Sequence, residues 1–572
     1  MSRSESVAGI RHHTPLAATP RDELDRTLER LRSRAAAWAS LDARARARYL
    51  RAAAAELVRV APDWVAWAVR EKGEDPAGPV AGEEWISGPM VTVRFIRLLA
   101  ESLERARWDA PRAAPRPGGR SSVPVFPETL YERALYPGVS AEIWFGPGVP
   151  PSRGAPYRRG DPPAPPGVAL VLGAGNVGSI APLDALDQLF VHGRVAVVKM
   201  NPVNAYLGPL LGQAFRSLVG EGFLAFVFGG AEAGAYLARH ELVDAVHLTG
   251  SAATFEALVW GATPEQRRRR KAAGRPLLDK PVTAELGCVT PVIVVPGRWT
   301  SEELRFQARR VAAMVAHNAS FNCNAAKVLV LSRDWYLREA FVDALAEALR
   351  RIPPRRAYYP GARERYQRYL NAYPGALVLG DGDDSRLAWA VVPDVPPVAG
   401  EPALSEEAFC GVIAVCALDA GGTGDPEAFL DAAVRFANES IAGTLSCALL
   451  VDPRTERALG ARLTEAVARL WYGGVGINLW PGVIFGLGTT TWGAFPGHTP
   501  ESVGSGLGVV HNARLYDRPE RSVARAPFVP PLTPPWFADF PGGARLGPRI
   551  TRFEAAPSAS ALPGLLAAAL WS

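Results

Sequence analysis

After Gly167 the chain alternates four times between a strand-like apolar run and a helix-like run, and this leaves few folds open. GVALVL precedes SIAPLDALDQLFV, RVAVVKM precedes AYLGPLLGQAFRSLV, FLAFVF precedes AGAYLARHE, and DAVHLT precedes SAATFEALVW. Strands that are apolar throughout need cover on both faces, so the pattern predicts a doubly wound parallel sheet with helices on each side. The alternation breaks at TPEQRRRRKAAGRP, read as a solvated loop, and then resumes. PVIVV, KVLVL, VIAVCAL, SCALLV and GVGIN form the strands of a second α/β unit. Upstream, Leu24, Leu28 and Leu31 recur at helical spacing. Residues 109–166 are rich in Pro and Gly around one strand-like run, SAEIWF, and read as an irregular excursion or extended hairpin.

Composition narrows the class further. Of 572 residues, 48% are hydrophobic and 21% charged, which excludes a largely disordered chain. The 55 Gly and 51 Pro follow no fixed period, which excludes collagen-like and solenoid folds. A net charge of +6 over this length is a weak field and gives no reason to expect a nucleic-acid partner. Lysine stands only at 72, 199, 271, 280 and 327, so each is worth locating. The start, MSRSESVAGIRHH, has no apolar core of a signal peptide, and 5 Cys show no paired framework. A reducing cytoplasm is therefore expected. The uncharged stretch 470–500 is long enough to span a membrane. It holds Pro481, Pro496, Asn478 and many Gly, and is read as strand and loop, so no membrane span is expected. The C-terminal run ALPGLLAAALW is too short to span and is read as packing onto the body.

Several residues carry possible chemistry. Gly173-Ala-Gly175-Asn-Val-Gly178 follows a strand and opens a helix, as a dinucleotide loop does. The next strand ends in Lys199 where that fingerprint wants an acid, so a tight βα turn is the preferred reading. Asn176 in the turn faces the carboxyl edge of the sheet. Cys323 sits in a polar loop, HNASFNCNAAK, whereas Cys416 and Cys447 sit in apolar runs. It is the best nucleophile candidate, with a bland loop cysteine as the alternative. Glu285, in an apolar run, must be paired, hydrogen-bonded or functional, and Glu407 similarly precedes a buried strand. HELVD at 240–244 lacks the second His of a zinc-protease helix, and no other His or Cys spacing suggests a metal. The Arg267 to Lys271 cluster is read as solvated.

Taken in order, these landmarks resemble the aldehyde dehydrogenase superfamily from about residue 40 to residue 510. Asn176 stands in the place of the family's P-W-N, Lys199 of K-P-S-E, and Phe228-Gly229 through Gly234 of its Gly-rich turn. HLTGS at 247–251 matches F-T-G-S, AELG at 284–287 matches L-E-L-G-G, and Asn318 to Cys323 matches N-x-G-Q-x-C. Glu407-Ala-Phe409 matches E-x-F-G-P, with Asn438 and Asn478 at two later landmarks. The resemblance implies a Rossmann-like cofactor domain, an α/β catalytic domain with a Cys nucleophile, and an oligomerisation hairpin. It implies NAD or NADP as cofactor and a small-molecule aldehyde as substrate. It makes Cys323 the nucleophile, Asn176 the oxyanion donor and Glu285 the base that activates water. Lys199 would bind adenosine ribose, with Gly229 and Gly250 in the cofactor turns. Ser251 would meet the pyrophosphate at a helix N-terminus, Glu407 would hold the nicotinamide ribose, and Phe409 would lie beside the ring.

The implied division is 1–108 for the N-terminal helical part of the cofactor domain, 109–166 for the excursion and hairpin, 167–283 for the NAD(P) unit, 284–500 for the catalytic domain and 501–572 for a C-terminal extension. A homodimer or dimer-based oligomer follows from the hairpin. Departures from the family pattern are specific. Gly175 replaces the Trp, Pro202 replaces the Glu that selects against a 2′-phosphate, and Ala185 replaces a frequent Lys. Phe255 replaces the second Gly of the pyrophosphate helix and is expected to crowd the diphosphate. The alternative function is a CoA-dependent acylating dehydrogenase or acyl-CoA reductase, since luminescence-type reductases also carry a G-N-V loop without Trp. A non-catalytic scaffold is the third reading. The aromatic stretch from Trp480 to Phe495 falls where the family lines its substrate tunnel, so either a bulky apolar aldehyde or plain core packing explains it.

Overall fold

The computed structural model describes residues 16–76, 78, 80–105, 111–158, 165–383, 385–421 and 424–570. The expectation about the first residues of the chain lies outside this range. Two sheets organise the molecule. The smaller runs in the order Gly506–Leu507, Val282–Glu285, Ala245–Thr249, Val168–Leu172, Val195–Lys199, Leu224–Val227. Its strands are parallel except Gly506–Leu507. Every residue of Val168–Leu172 and Val195–Lys199 is buried, because helices cover both faces. The chain goes one way from Val168–Leu172 through the next two strands and then returns to its other side. That reversal opens a crevice at the carboxyl ends of Val168–Leu172 and Ala245–Thr249, the usual ligand position in such sheets.

The larger sheet has eleven strands. Its parallel middle contains Gly474–Ile477, Ser446–Leu450, Pro291–Val294, Val328–Ser332 and Val412–Leu418. The Pro/Gly-rich excursion is an antiparallel hairpin of Ala114–Arg116, Arg120–Phe126 and Ser140–Phe145. It joins the sheet within its own chain. Arg521–Arg525 lies between Ser140–Phe145 and Gly474–Ile477 and bonds to both. The segment expected to be an extension thus supplies a strand to each sheet.

Three local expectations change. The Arg-rich break is the exposed helix Pro264–Ala272, started by a Thr263/Gln266 capping box, not a loop. Residues 470–500 contain the short helix Pro481–Leu487 as well as strands, with Pro at its first position. Phe255 is fully buried in the core and does not enter the crevice, so it does not crowd a diphosphate there. The C-terminal run forms the helix Leu562–Leu570, whose Leu565 is buried against the body. Among the described residues, no helix is long and apolar enough to cross a membrane.

The C-terminal helix Gly543–Ala555 is held by buried charge. Glu554 accepts from Arg94 at 2.9 Å and from Arg97 at 2.8 Å, and Arg94 also bonds Glu132 of the hairpin region and the carbonyl of Leu487. The Arg94, Glu132 and Glu554 side chains are all nearly inaccessible. Removing Glu554 takes the shared carboxylate from two buried guanidiniums, leaving Arg94 with Glu132 and Arg97 with Glu101. Glu554→Ala is therefore expected to destabilise the fold by about 3–5 kcal/mol. A urea midpoint unchanged from wild type would refute that value.

Candidate active site

Cys323 and Glu285 arrive from opposite sheets. Glu285 ends the strand Val282–Glu285, and Cys323 lies in the loop between the helix Ser301–Ala316 and the strand Val328–Ser332. The Cys323 thiol donates to Glu285 Oε1 at 3.3 Å. Trp492 Nε1 donates to the same oxygen at 2.9 Å. Glu285 is 2% exposed, and its Oε2 is buried without a hydrogen-bond partner. Burial pushes its carboxyl above the ordinary range. Burial, and then the Glu285 charge, pushes the Cys323 thiol up too. Both shifts favour the protonated form of the group concerned, and the geometry has the thiol donating to the carboxyl oxygen.

This predicts slow alkylation of Cys323 by iodoacetamide at pH 8 without cofactor. Glu285→Gln should accelerate it, because the charge that opposes thiolate formation is gone. Equal rates in the two proteins would show that Glu285 does not control the thiol.

Asn176 meets the cysteine loop directly. Its Nδ2 donates to the carbonyl of Phe321 at 2.8 Å, leaving the second amide hydrogen. The glycines around it are set by packing. A Cβ at Gly175 would come within 2.6 Å of Asn201 Oδ1, and one at Gly173 within 2.8 Å of Ala181 Cβ. The turn is tight because the 201–203 loop and the following helix press on it, which also leaves no room for a Trp at 175.

The cysteine loop is strained. Asn318, Ala319 and Ser320 have φ of 54°, 54° and 67°, three successive left-handed residues without a glycine. A buried polar cluster fixes them. Asn318 donates through Nδ2 to the carbonyl of Asn176 at 3.0 Å and through its backbone N–H to Glu83 at 3.0 Å. Asn318 Oδ1 accepts from Lys72 at 2.8 Å and from Tyr358 at 2.9 Å. Burial works against the charge of Lys72, but Glu84 beside it prevails and the lysine pKa is raised. Arg355 bonds Glu83 at 3.2 Å. Lys72, Glu83 and Glu84 had no assigned role from sequence. The rarity of lysine was the one signal pointing to the first of them.

Two cavities meet at Cys323. The larger, about 930 Å³, opens along the crevice of the smaller sheet and is lined by Lys199, Gly250, Ser251, Glu407 and Phe409, with Glu285, Asn176 and Cys323 at one end. Ser251 caps the helix Ala252–Val259, its Oγ accepting from Thr254 N–H at 3.1 Å. Lys199 Nζ donates to the carbonyl of Gly229 at 3.4 Å, and Gly229 sits behind it, off the cavity wall. Glu407 is pushed up to about 7, chiefly by burial, with Lys327 3.9 Å away acting the other way. Its Oε1 is buried and has no hydrogen-bond partner. Phe409 packs on Tyr359 with ring centroids 5.0 Å apart. The second cavity is apolar and also touches Asn176, Glu285 and Cys323. Asn438 and Asn478 lie elsewhere. The first bonds the Arg469 carbonyl and the Trp471 N–H, and the second bonds Val451, so both fix loops.

A two-sheet α/β protein with a cysteine between a crevice and an apolar cavity is the class that this fold and site define. Residues 162–361 match the aldehyde dehydrogenase family model, a stretch that includes Asn176, Lys199, Glu285 and Cys323. Over that stretch, about a third of its length, the chain is similar to the aldehyde dehydrogenase family. It is 27% identical over 173 residues to N-succinylglutamate 5-semialdehyde dehydrogenase of Novosphingobium aromaticivorans, covering 30% of this chain and 33% of that one. The match thus spans about a third of that relative's length. Among solved structures, an aldehyde dehydrogenase C mutant from Pseudomonas syringae, complexed with NAD⁺ and octanal, aligns with a TM-score of 0.60 at 16% identity. That alignment covers 89% of this chain and 90% of that one. NADP-dependent glyceraldehyde-3-phosphate dehydrogenase from Bacillus halodurans, complexed with NADP, aligns at 0.56 and 17% identity, covering 89% and 92%.

Proposed function

We propose that the chain oxidises an aldehyde to a carboxylic acid with NAD or NADP. The observation that carries this reading is the meeting of two cavities at one thiol and one buried carboxylate. The crevice suits a dinucleotide in volume and donor set. Lys199 would take ribose hydroxyls, Gly250 and Ser251 at a helix N-terminus would take the diphosphate, and the Glu407 carboxyl would take the second ribose. The bound nicotinamide would supply the hydride acceptor.

The remaining steps belong to the chain's own residues. Glu285 takes the thiol proton and Cys323 Sγ bonds to the aldehyde carbon. The free Asn176 amide hydrogen and the Cys323 N–H hold the resulting oxyanion. After oxidation the acyl group is a thioester on Cys323. Glu285, having released the thiol proton to solvent, takes a proton from water, whose oxygen bonds to the acyl carbon; the C–S bond breaks, the thiolate leaves and the acid is released. Trp492 holds Oε1, so the unpaired Oε2 is the oxygen left for the water.

The five cysteines are all free, which suits a reducing compartment, and we place the protein in the cytoplasm. A homodimer or dimer-based assembly remains the proposal drawn from the hairpin's resemblance. Ser140–Phe145 is paired on both sides within the chain, whereas Ala114–Arg116 is the outermost strand of the sheet and pairs only with Arg120–Phe126. The test of function is reduced-cofactor production from an aldehyde panel, with and without CoA. Turnover in water alone supports the proposal. Turnover only with CoA replaces it with the acylating reading, and no turnover with either cofactor favours a scaffold.

A further inference from the structure

The apolar cavity beside Cys323 is closed by residues that lie beyond the two α/β units. Its inner wall is Met90, Trp480 and Phe485, and its far wall is Trp536, Leu546 and Ile550 from the C-terminal segment. Trp480 is fixed by donating Nε1 to the carbonyl of Asn324 at 2.9 Å, next to the thiol. Trp536 packs on it with ring centroids 5.2 Å apart. The segment is not loosely laid over the opening. Gly543 and Gly547 approach the 80–85 helix so closely that a Cβ at Gly82 would lie 2.5 Å from Gly543, and one at Gly547 2.3 Å from Trp85. The Arg94–Glu554 ion pair locks the same helix.

Two properties of this cavity define what fits. Its volume is about 140 Å³, close to that of an engineered apolar cavity that holds one benzene, roughly 150 Å³. The ionisable side chains on its wall, among the described residues, are Glu285, Cys323, His317 and Tyr136, with no Arg or Lys. Burial lowers the pKa of His317, so it is not a ready cation. A carboxylate brought into this cavity would be desolvated without a cationic partner and would face Glu285.

We propose that the C-terminal segment is a specificity element, and that Trp536, Leu546 and Ile550 shape a pocket for an aldehyde with one uncharged ring-sized group. This rests on the aldehyde-oxidising reading above. It also separates the chain from the N. aromaticivorans relative, whose named substrate carries carboxylates.

The experiment compares kcat/KM for phenylacetaldehyde, octanal and succinic semialdehyde in wild type, Ile550→Phe and Trp536→Ala. Wild type is expected to favour phenylacetaldehyde over succinic semialdehyde by about 100-fold or more. Ile550→Phe fills the pocket and should lower the phenylacetaldehyde-to-succinic semialdehyde ratio at least about 10-fold. Trp536→Ala lengthens the pocket and should lower the phenylacetaldehyde-to-octanal ratio. The two substitutions act oppositely on volume, so one misfolded variant leaves the other informative. A wild-type preference for succinic semialdehyde, or ratios unmoved by both variants, overturns the proposal. Calorimetric titration of Cys323→Ala with phenylacetamide, an unreactive ring amide, separates the two readings. Binding without aldehyde turnover in wild type keeps the pocket and rejects the reaction. Turnover without ring binding rejects the pocket.

Discussion

Cys323→Ala is expected to lower kcat for aldehyde oxidation by about 10⁴-fold or more, the scale seen when a covalent nucleophile is removed. The fold should survive. The thiol is half-buried and its one side-chain hydrogen bond is to Glu285, so the substitution removes a single atom from a loop that Asn318 holds independently. Circular dichroism and the thermal midpoint should stay near wild type, and the dinucleotide should still bind. Loss of turnover with retained cofactor binding assigns the chemistry to the thiol. Equal turnover in both proteins would end the covalent mechanism at Cys323.

Glu285→Gln has the second large effect, and its signature is kinetic. The amide is nearly isosteric and its oxygen can still accept from Trp492, so the geometry persists. Its oxygen is no base. Deacylation should fall by about 10²–10⁴-fold, while acylation falls less, since the thiol loses a charge that opposes its ionisation. A rapid-mixing trace should show a burst of one reduced cofactor per site followed by slow turnover. The pH profile gives the sign independently. Burial raises the Glu285 carboxyl, so the base form is lost as pH falls through a value above the ordinary carboxylate range. The acid limb of wild-type kcat should sit there and vanish in Glu285→Gln. Unchanged steady-state turnover would remove Glu285 from the reaction.

Much of this site is legible in the chain because its parts break a local rule. A carboxylate in an apolar run and a cysteine in a polar loop are both out of place, and Glu285 and Cys323 prove to be hydrogen-bonded neighbours. The sheet was legible for a similar reason, since strands apolar on both faces admit few arrangements. What escaped lacks such a local signal. Lys72, Glu83 and Glu84 lie more than two hundred residues before Asn318, in a segment of unremarkable polarity, and only tertiary folding brings them under the loop. Phe255 occupies a position where the resemblance expects glycine, yet its side chain turns into the core, a direction that no spacing encodes. The helix Pro264–Ala272 was hidden by its arginines, although Thr263 and Gln266 spell its cap.

The strand Arg521–Arg525 carries a consequence for synthesis. It fills the slot between Ser140–Phe145 and Gly474–Ile477, so Trp144 waits for Arg521 before the large sheet is continuous. A ribosome that has not yet made residues 521–525 holds a sheet in two pieces, each with a bare edge able to pair with another nascent chain. Folding of the large sheet is thus completed only after that strand has emerged, and chaperone demand should rise with any truncation before residue 521 and fall abruptly beyond 525.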